Sequence, residues 1–283
     1  MKAISAIRFV FALLTCSLAA KAEDVKVLTF NIRYDNPRDG ADAWPNRREA
    51  VAKEIARADV AGLQEVKPNQ RAWLRERLPE FEFIGIGREK DDTDEAVPVA
   101  FRKERFELEQ SGTFWLSETP GVPASKSWDS SLPRICTWVR LRDRRDGSRL
   151  ALFNVHLDHR GADARDRGIG VVLERMQKAG APVLLTGDFN CGLGEAPVKR
   201  VAAWQKPVLV SGLVALEQSD EGTFNGFTAR ADGPAIDYIF GEKGRVKFVS
   251  RTVVKTKYTG SDGAERQVSD HYPVVAVVSI DGK

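Results

Sequence analysis

Pro182–Asn190 reads PVLLTGDFN. A run of Val and Leu this short, opened by Pro and closed by Gly, predicts a buried β-strand rather than a helix. It passes without a spacer into Asp188 and Asn190. A carboxylate set directly behind consecutive apolar residues lies at the edge of a core. It is costly there unless paired or bound to a cation.

The same pattern recurs along the chain. Val25–Arg33 (VKVLTFNIR) carries Asn31 near its end, and Val60–Val66 (VAGLQEV) carries Gln64 and Glu65. Arg149–Leu157 leads into His156, Asp158 and His159. Ile236–Phe240 (IDYIF) contains Asp237, and Ser269-Asp270-His271 immediately precedes the strand-like YPVVAVV. An Asp or Asn after a strand is usually a turn or cap residue, and Asn46 and Asp158 fit that ordinary reading. The histidines point further: the chain has three, and all lie in these clusters. Strand ends are where rigid scaffolds present sites.

Between these strands, Asn46–Ala58 predicts a helix with Val51, Ile55 and Ala58 on one face. Asn69–Leu78, with Trp73, Leu74 and Leu78, predicts a second. Ala162–Lys178, weakened by Gly168 and Gly170, predicts a third. Strands are expected near Phe81–Ile86, Val97–Arg102, Phe106–Gln110 and Arg134–Leu141. The last joins Arg149–Leu157 through Asp146-Gly147, a hairpin signal. Gly121–Leu132 reads as a loop, and the stretch after Asn190 is looser. Strands outnumber helices and several pair as hairpins. A doubly wound parallel sheet would need a helix at nearly every crossover. The expected class is α/β, a layered sandwich of mixed sheets in one domain.

Lys+Arg number 43 and Asp+Glu 40. Lys2 and Arg8 flank an apolar run, Phe9–Ala20, which ends in Ala20-Lys21-Ala22: a secretory signal peptide is expected over 1–22, with residues 23–283 as the mature domain. The leader holds Lys2, Arg8 and Lys21 and no acid, so the mature chain is electrically neutral. Bulk charge therefore does not advertise a polyanion binder. No later apolar run is long enough for a transmembrane helix. The expected location is secreted or periplasmic, as a monomer. Cys136 and Cys191, left after cleavage, read as two separate buried thiols.

Carboxylates and amide oxygens suit hard cations: Mg²⁺ or Mn²⁺, with Ca²⁺ as a further candidate. Zinc would want clustered His or Cys, and there is no H-E-x-x-H or C-x-x-C. Serine-hydrolase and nucleotide-loop signatures are also missing. A hard cation beside acids and imidazoles implies phosphoester chemistry.

Taken in order, Asn31 in LTFNIR, Gln64-Glu65, Asn154-Val155-His156, Gly187-Asp188-Phe189-Asn190, Asp237 in IDYIF and Ser269-Asp270-His271 resemble the endonuclease/exonuclease/phosphatase superfamily over residues 25–280. SGTFWLSETP, PRICTW and LDHRG look like a secreted bacterial branch, similar to its deadenylase and nocturnin-like side. The resemblance implies a four-layer α-β-β-α sandwich with the site at one end of the sheets. It implies Glu65 as principal metal carboxylate, with Asn31 beside it and Asp270 nearby. Asp188 would orient or deprotonate water, and Asn190 would hold water or a phosphoryl oxygen. His271, oriented by Asp237, would stabilise phosphoryl charge, and His156 would serve the leaving-group side. Glu95 matches the place of a Glu that pairs with that histidine in secreted deoxyribonucleases. Tyrosines that contact phosphate in relatives are replaced by Asp94, Ala96 and Val97, so Arg134 or Arg160 is expected to bind phosphate. The expected activity is a metal-dependent phosphodiesterase or phosphatase. The alternatives are a secreted nuclease acting on DNA or RNA and, with less weight, a non-enzymatic binding protein.

Overall fold

The computed structural model describes residues 24–228 and 233–281. The expected leader lies outside them. In chain order the first elements are β1 (Val25–Asn31), α1 (Trp44–Ile55), β2 (Val60–Gln64), α2 (Pro68–Arg77), β3 (Phe81–Ile84), β4 (Val99–Arg102) and β5 (Phe106–Trp115). Next come β6 (Ile135–Asp143), β7 (Arg149–His156), α3 (Ala162–Met176), β8 (Val183–Asp188), α4 (Ala196–Ala203), β9 (Leu209–Ser211) and α5 (Gly212–Ala215). The chain closes with β10 (Asp237–Glu242), β11 (Val246–Val253), β12 (Lys257–Thr259), β13 (Glu265–Gln267) and β14 (Val274–Ile280).

Two six-stranded sheets form, in the orders β11-β14-β1-β2-β4-β3 and β5-β6-β7-β8-β10-β9. Each has one parallel pair at its centre, β1 with β2 and β7 with β8, flanked by antiparallel neighbours. The expected mixed sandwich is therefore what the chain builds. Val51, Ala52 and Ile55 of α1 and Leu74 of α2 pack on Leu28, Phe30, Ala61 and Leu63, outside the first sheet. Ile169, Val172, Leu173 and Met176 of α3, with Val198 and Val201 of α4, cover Ala151, Phe153, Val155 and Leu185 of the second. Between the sheets lie Val25, Val27, Val60, Leu150, Leu152, Leu184 and Ile239.

Strand periodicity explains where the site falls. Alternate residues share a face, so the inward face of β1 reads Val25, Val27, Thr29, Asn31. That of β2 reads Val60, Gly62, Gln64, and that of β7 reads Leu150, Leu152, Asn154, His156. That of β8 reads Leu184, Thr186, Asp188, and antiparallel β10 runs the other way, from Asp237 to Ile239. Every row changes from apolar to polar toward the same end of the sandwich. Burying each apolar side chain contributes about 1.5–3 kcal/mol. Each buried polar one must find a partner or lose a similar amount. The polar end is accordingly tied together: Asn154 Nδ2 donates to the carbonyls of Leu63, Val97 and Pro98, and its Oδ1 accepts from Gln64 Nε2 at 2.7 Å and Thr186 Oγ1 at 3.1 Å. The sheets meet closely there. A Cβ on Gly62 would stand 2.2 Å from Thr186 Oγ1.

Some expectations change. The strand placed at Phe106–Gln110 continues to Trp115, carried past a bulge between Leu108 and Gln110 by its pairing with β6. The looser stretch after Asn190 contains α4, β9 and α5, elements too short to show a hydrophobic period of their own. Cys136 and Cys191 are buried free thiols, and burial pushes both upward in pKa.

Candidate active site

The polar end opens into a cavity of about 490 Å³, lined among others by Glu65, Asp188, Asn190, Asp270, His156, His159 and His271. Strand register sets much of it. His156 of β7 stands opposite Asp188 of β8, and Asp188 stands opposite Asp237 of β10. Three adjacent strands thus deliver a His and two Asp in one row.

Asn31 joins the two sheets at the site. Its Nδ2 donates to Glu65 Oε1 and to Asp188 Oδ2, both at 3.0 Å. Its Oδ1 accepts from Arg33 N. Glu65 Oε2 accepts from Tyr34 N at 3.1 Å. Glu65, Asn190 and Arg33 all have left-handed φ, at 62°, 51° and 57°. Such non-glycine outliers cost energy and gather at functional sites. The turn carrying Arg33 and Tyr34 is braced by buried Arg47, which donates to the carbonyls of Ile32, Arg33 and Asp42.

Asp188 is almost fully buried; its Oδ1 accepts from Asn190 N at 2.8 Å. Burial, then the charge of Asp237, raises it to about 7, against the pull of His271 and Asn31. His271 Nδ1 lies 2.9 Å from Asp237 Oδ2. Burial opposes its charge, but Asp237, Asp188 and Asp270 together hold it well above the ordinary histidine value. His156 goes the other way. Burial and the neighbouring Arg134 and Arg88 hold it well below. The two imidazoles are therefore driven in opposite directions, His271 toward its cationic form and His156 toward its neutral one. Environments that drive two titratable groups apart assign acid, base and electrostatic roles.

Asp270 is buried, raised by that burial and by the charge of Glu65, and its nearest cation is Arg33, with Nη1 3.4 Å from Oδ2. A hard cation suits these two carboxylates. Asp188, Asp237 and His271 also bring ligand atoms within 4.8 Å of one another. Asp237 Oδ2 there already meets His271 Nδ1, as both oxygens of Glu65 meet Asn31 and Tyr34 N. Glu65 and Asp270, or that trio, could hold the ion. Asn31 turns its NH₂ toward Glu65, and would offer an oxygen only with its amide reversed.

Other expected residues fall less simply. Asn190 Nδ2 is anchored on Leu157 O at 3.1 Å, leaving its Oδ1 toward the cavity it lines. Glu95 lines the cavity, but its carboxylate is gripped by Arg88 at 3.0 and 3.2 Å rather than by His156. The intervening Arg88, hidden in sequence beside the charged run 89–95, takes it over. Arg134 lines the cavity, with Nη2 2.9 Å from His159 Nδ1. Arg160 is exposed and outside the lining; its backbone N donates to Asp158 instead. Asp158 accepts from Arg160, Gly161 and Ser131, the turn role expected of it. Sequence reasoning missed Arg33, Tyr34, Arg88 and Phe224. Phe224 is half-exposed, lines the cavity, and meets the His271 ring edge-on at 5.1 Å.

The fold and site define a hydrolase that acts on phosphoesters. The chain belongs to the endonuclease/exonuclease/phosphatase family, whose pattern matches residues 28–271. It is similar to an endonuclease/exonuclease/phosphatase family protein from Bacteroides thetaiotaomicron, with 33% identity and a TM-score of 0.84 over 92% of this chain and 99% of that one. A mannosyl-6-phosphatase from the same organism has 32% identity and a TM-score of 0.82, over 90% and 100% of the two chains. The human nocturnin catalytic domain shares the fold at 21% identity and a TM-score of 0.71, over 91% and 94%. No curated protein matches the chain. Among the described residues no helix is long and apolar enough to cross a membrane.

Proposed function

We propose that this chain is an exported, metal-dependent phosphoesterase acting on small phosphorylated molecules, with sugar phosphates as the leading substrate class. The observation that carries the reading is the row of His156, Asp188 and Asp237, with His271 on Asp237, beside the carboxylates of Glu65 and Asp270 at one cavity. A bound Mg²⁺ or Mn²⁺ would neutralise phosphoryl oxygens and make water a better nucleophile. Asp188, poised near neutrality, accepts a proton from the attacking water. His271, fixed by Asp237, stabilises charge on a phosphoryl oxygen. Asn190 orients the water through its free Oδ1. His156 offers an N–H hydrogen bond to the leaving oxygen, which takes up the proton that Asp188 receives from the water; His156 Nε2 and Asp188 Oδ2 stand 3.5 Å apart.

Substrate size is argued from the cavity, which at about 490 Å³ suits a compact ligand. The resemblance to a mannosyl-6-phosphatase supports a sugar phosphate. The neutral mature charge gives little support to duplex binding, which leans on many Lys and Arg contacts to phosphate. Export rests on the basic and apolar pattern of residues 1–22. The test is a panel of hexose 6-phosphates, nucleotides, plasmid DNA, RNA and sphingomyelin, with Mg²⁺, Mn²⁺ or EDTA. Metal-dependent phosphate release from sugar phosphates is expected. Preferential cutting of nucleic acid would favour the nuclease reading, and no hydrolysis of any substrate would favour a binding protein.

A further inference from the structure

Resting on the phosphoesterase reading above, we infer that Arg88 and Arg134 form a two-guanidinium seat for the terminal oxygens of a dianionic phosphomonoester, and so set a preference for monoesters over diesters.

Both arginines line the cavity beside His156, and both border a narrow recess that His156 and Glu65 share. Both are nearly inaccessible, with relative exposures of 6% and 5%. Arg134 donates through Nη2 to His159 Nδ1 at 2.9 Å, and its Nε reaches Asp158 only at 3.5 Å. Asp158 is already saturated by Ser131, Arg160 and Gly161. Among the described residues no hydrogen bond engages Nη1 of Arg134, and the residue lines the cavity.

Arg88 is fixed differently. Asp94 takes its Nε at 2.8 Å, and Glu95 takes Nη1 and Nη2. Lys67 pairs with the same Asp94. A guanidinium has five N–H bonds, so two remain beyond these contacts. The plane of Arg88 is locked before any ligand arrives, which lowers the ordering cost of binding. The two guanidiniums also act on each other. Arg134 is held below its ordinary value by burial and by the charge of Arg88. Asp158, Glu95 and Asp188 act the other way on Arg134, so what the wall offers a ligand is oriented N–H donors.

Charge then separates the two ester classes. A monoester carries close to two negative charges at neutral pH and exposes three terminal oxygens. A diester carries one charge and exposes two. Planar guanidiniums suit bidentate contact with such oxygens. The monoester's third terminal oxygen gives the second guanidinium an acceptor that a diester lacks.

The experiment compares kcat/KM for p-nitrophenyl phosphate and bis(p-nitrophenyl) phosphate, with Mn²⁺, in the wild type, Arg88→Gln and Arg88→Lys. For Arg88→Gln, the loss on the monoester should exceed the loss on the diester ten-fold or more. Arg88→Lys, which keeps the charge without the fork, should recover part of that difference. Equal losses on both esters overturn the inference and leave the phosphoesterase reading standing. Should Arg88→Gln not fold, the wild type decides. Inorganic phosphate should inhibit at least ten-fold more tightly than dimethyl phosphate, and equal inhibition overturns the inference. Hydrolysis of neither ester by the folded wild type overturns both it and the reading on which it rests.

Discussion

Nδ1 of His271 lies 2.9 Å from Oδ2 of Asp237, and the carboxylate is completely buried. Among the described residues Asp237 Oδ1 has no hydrogen-bond partner, and Oδ2 is the oxygen that meets the ring. A charge held that way fixes the imidazole's orientation and favours its cationic form. The two residues therefore form one functional unit. His271→Ala and Asp237→Asn should each lower kcat/KM by about 10²-fold or more. The double variant should be little worse than either single one. Additive losses in the cycle would separate the two residues and end this assignment.

Asp188 leads to a prediction about stability. In the folded, metal-free chain its pKa is raised to about 7, mainly by burial. In the unfolded chain an Asp ionises near 3.8. The folded state thus binds the extra proton, and its stability falls as pH rises from about 4 to about 7. Beyond that window both states are ionised and the loss is complete. Asp188→Asn carries no such charge. In EDTA its melting temperature should gain on the wild type between pH 4 and 7, then hold a constant lead, while activity is lost. A lead that does not change with pH would show that Asp188 is ionised throughout.

The inward rows of β1, β2, β7 and β8 were legible because apolar alternation and the polar residue that ends it are both local. The sandwich and most cavity-lining acids and imidazoles follow from them. The pairing of Arg88 with Glu95 was not legible. Their partnership spans a charged run that reads as a solvated face, and only the fold turns it inward. Arg160 misled for the converse reason. It sits beside Asp158 and His159 in sequence, but the tight turn that Asp158 closes points its side chain outward. Asn154 belonged to the sequence motif without a role, because its partners are far from it in sequence: Thr186 on neighbouring β8, Leu63 and Gln64 at β2 of the opposite sheet, and Val97 and Pro98 just before β4.

Those partners make Asn154 a test of the sandwich itself. Its amide satisfies carbonyls of Leu63, Val97 and Pro98 and accepts from Gln64 and Thr186. Asn154→Ala leaves several of these groups buried and unpaired. The expected cost is about 2–4 kcal/mol, at the high end for one substitution. Urea unfolding measures it, and a change below about 0.5 kcal/mol, the scale of an ordinary surface site, would mean that the network is dispensable.

The last prediction concerns the metal. Glu65 is held in a left-handed conformation, and both of its oxygens accept hydrogen bonds, from Asn31 and from Tyr34 N. Two donors aimed at one carboxylate fix its orientation at the cavity it lines. Glu65→Gln removes the charge that attracts a hard cation and puts an NH₂ where one of those donors points. It should lower metal-dependent kcat/KM by about 10²-fold or more. It should also shift half-maximal activation to higher Mg²⁺ or Mn²⁺. Two measurements separate chemistry from folding: the thermal unfolding of the variant in EDTA, and calorimetric titration with Mn²⁺. A folded variant that binds Mn²⁺ weakly places Glu65 on the metal. A folded variant that binds Mn²⁺ as the wild type does, yet turns over slowly, would move the ion to Asp188 and its neighbours. Unchanged turnover and unchanged metal dependence would remove Glu65 from the reaction altogether.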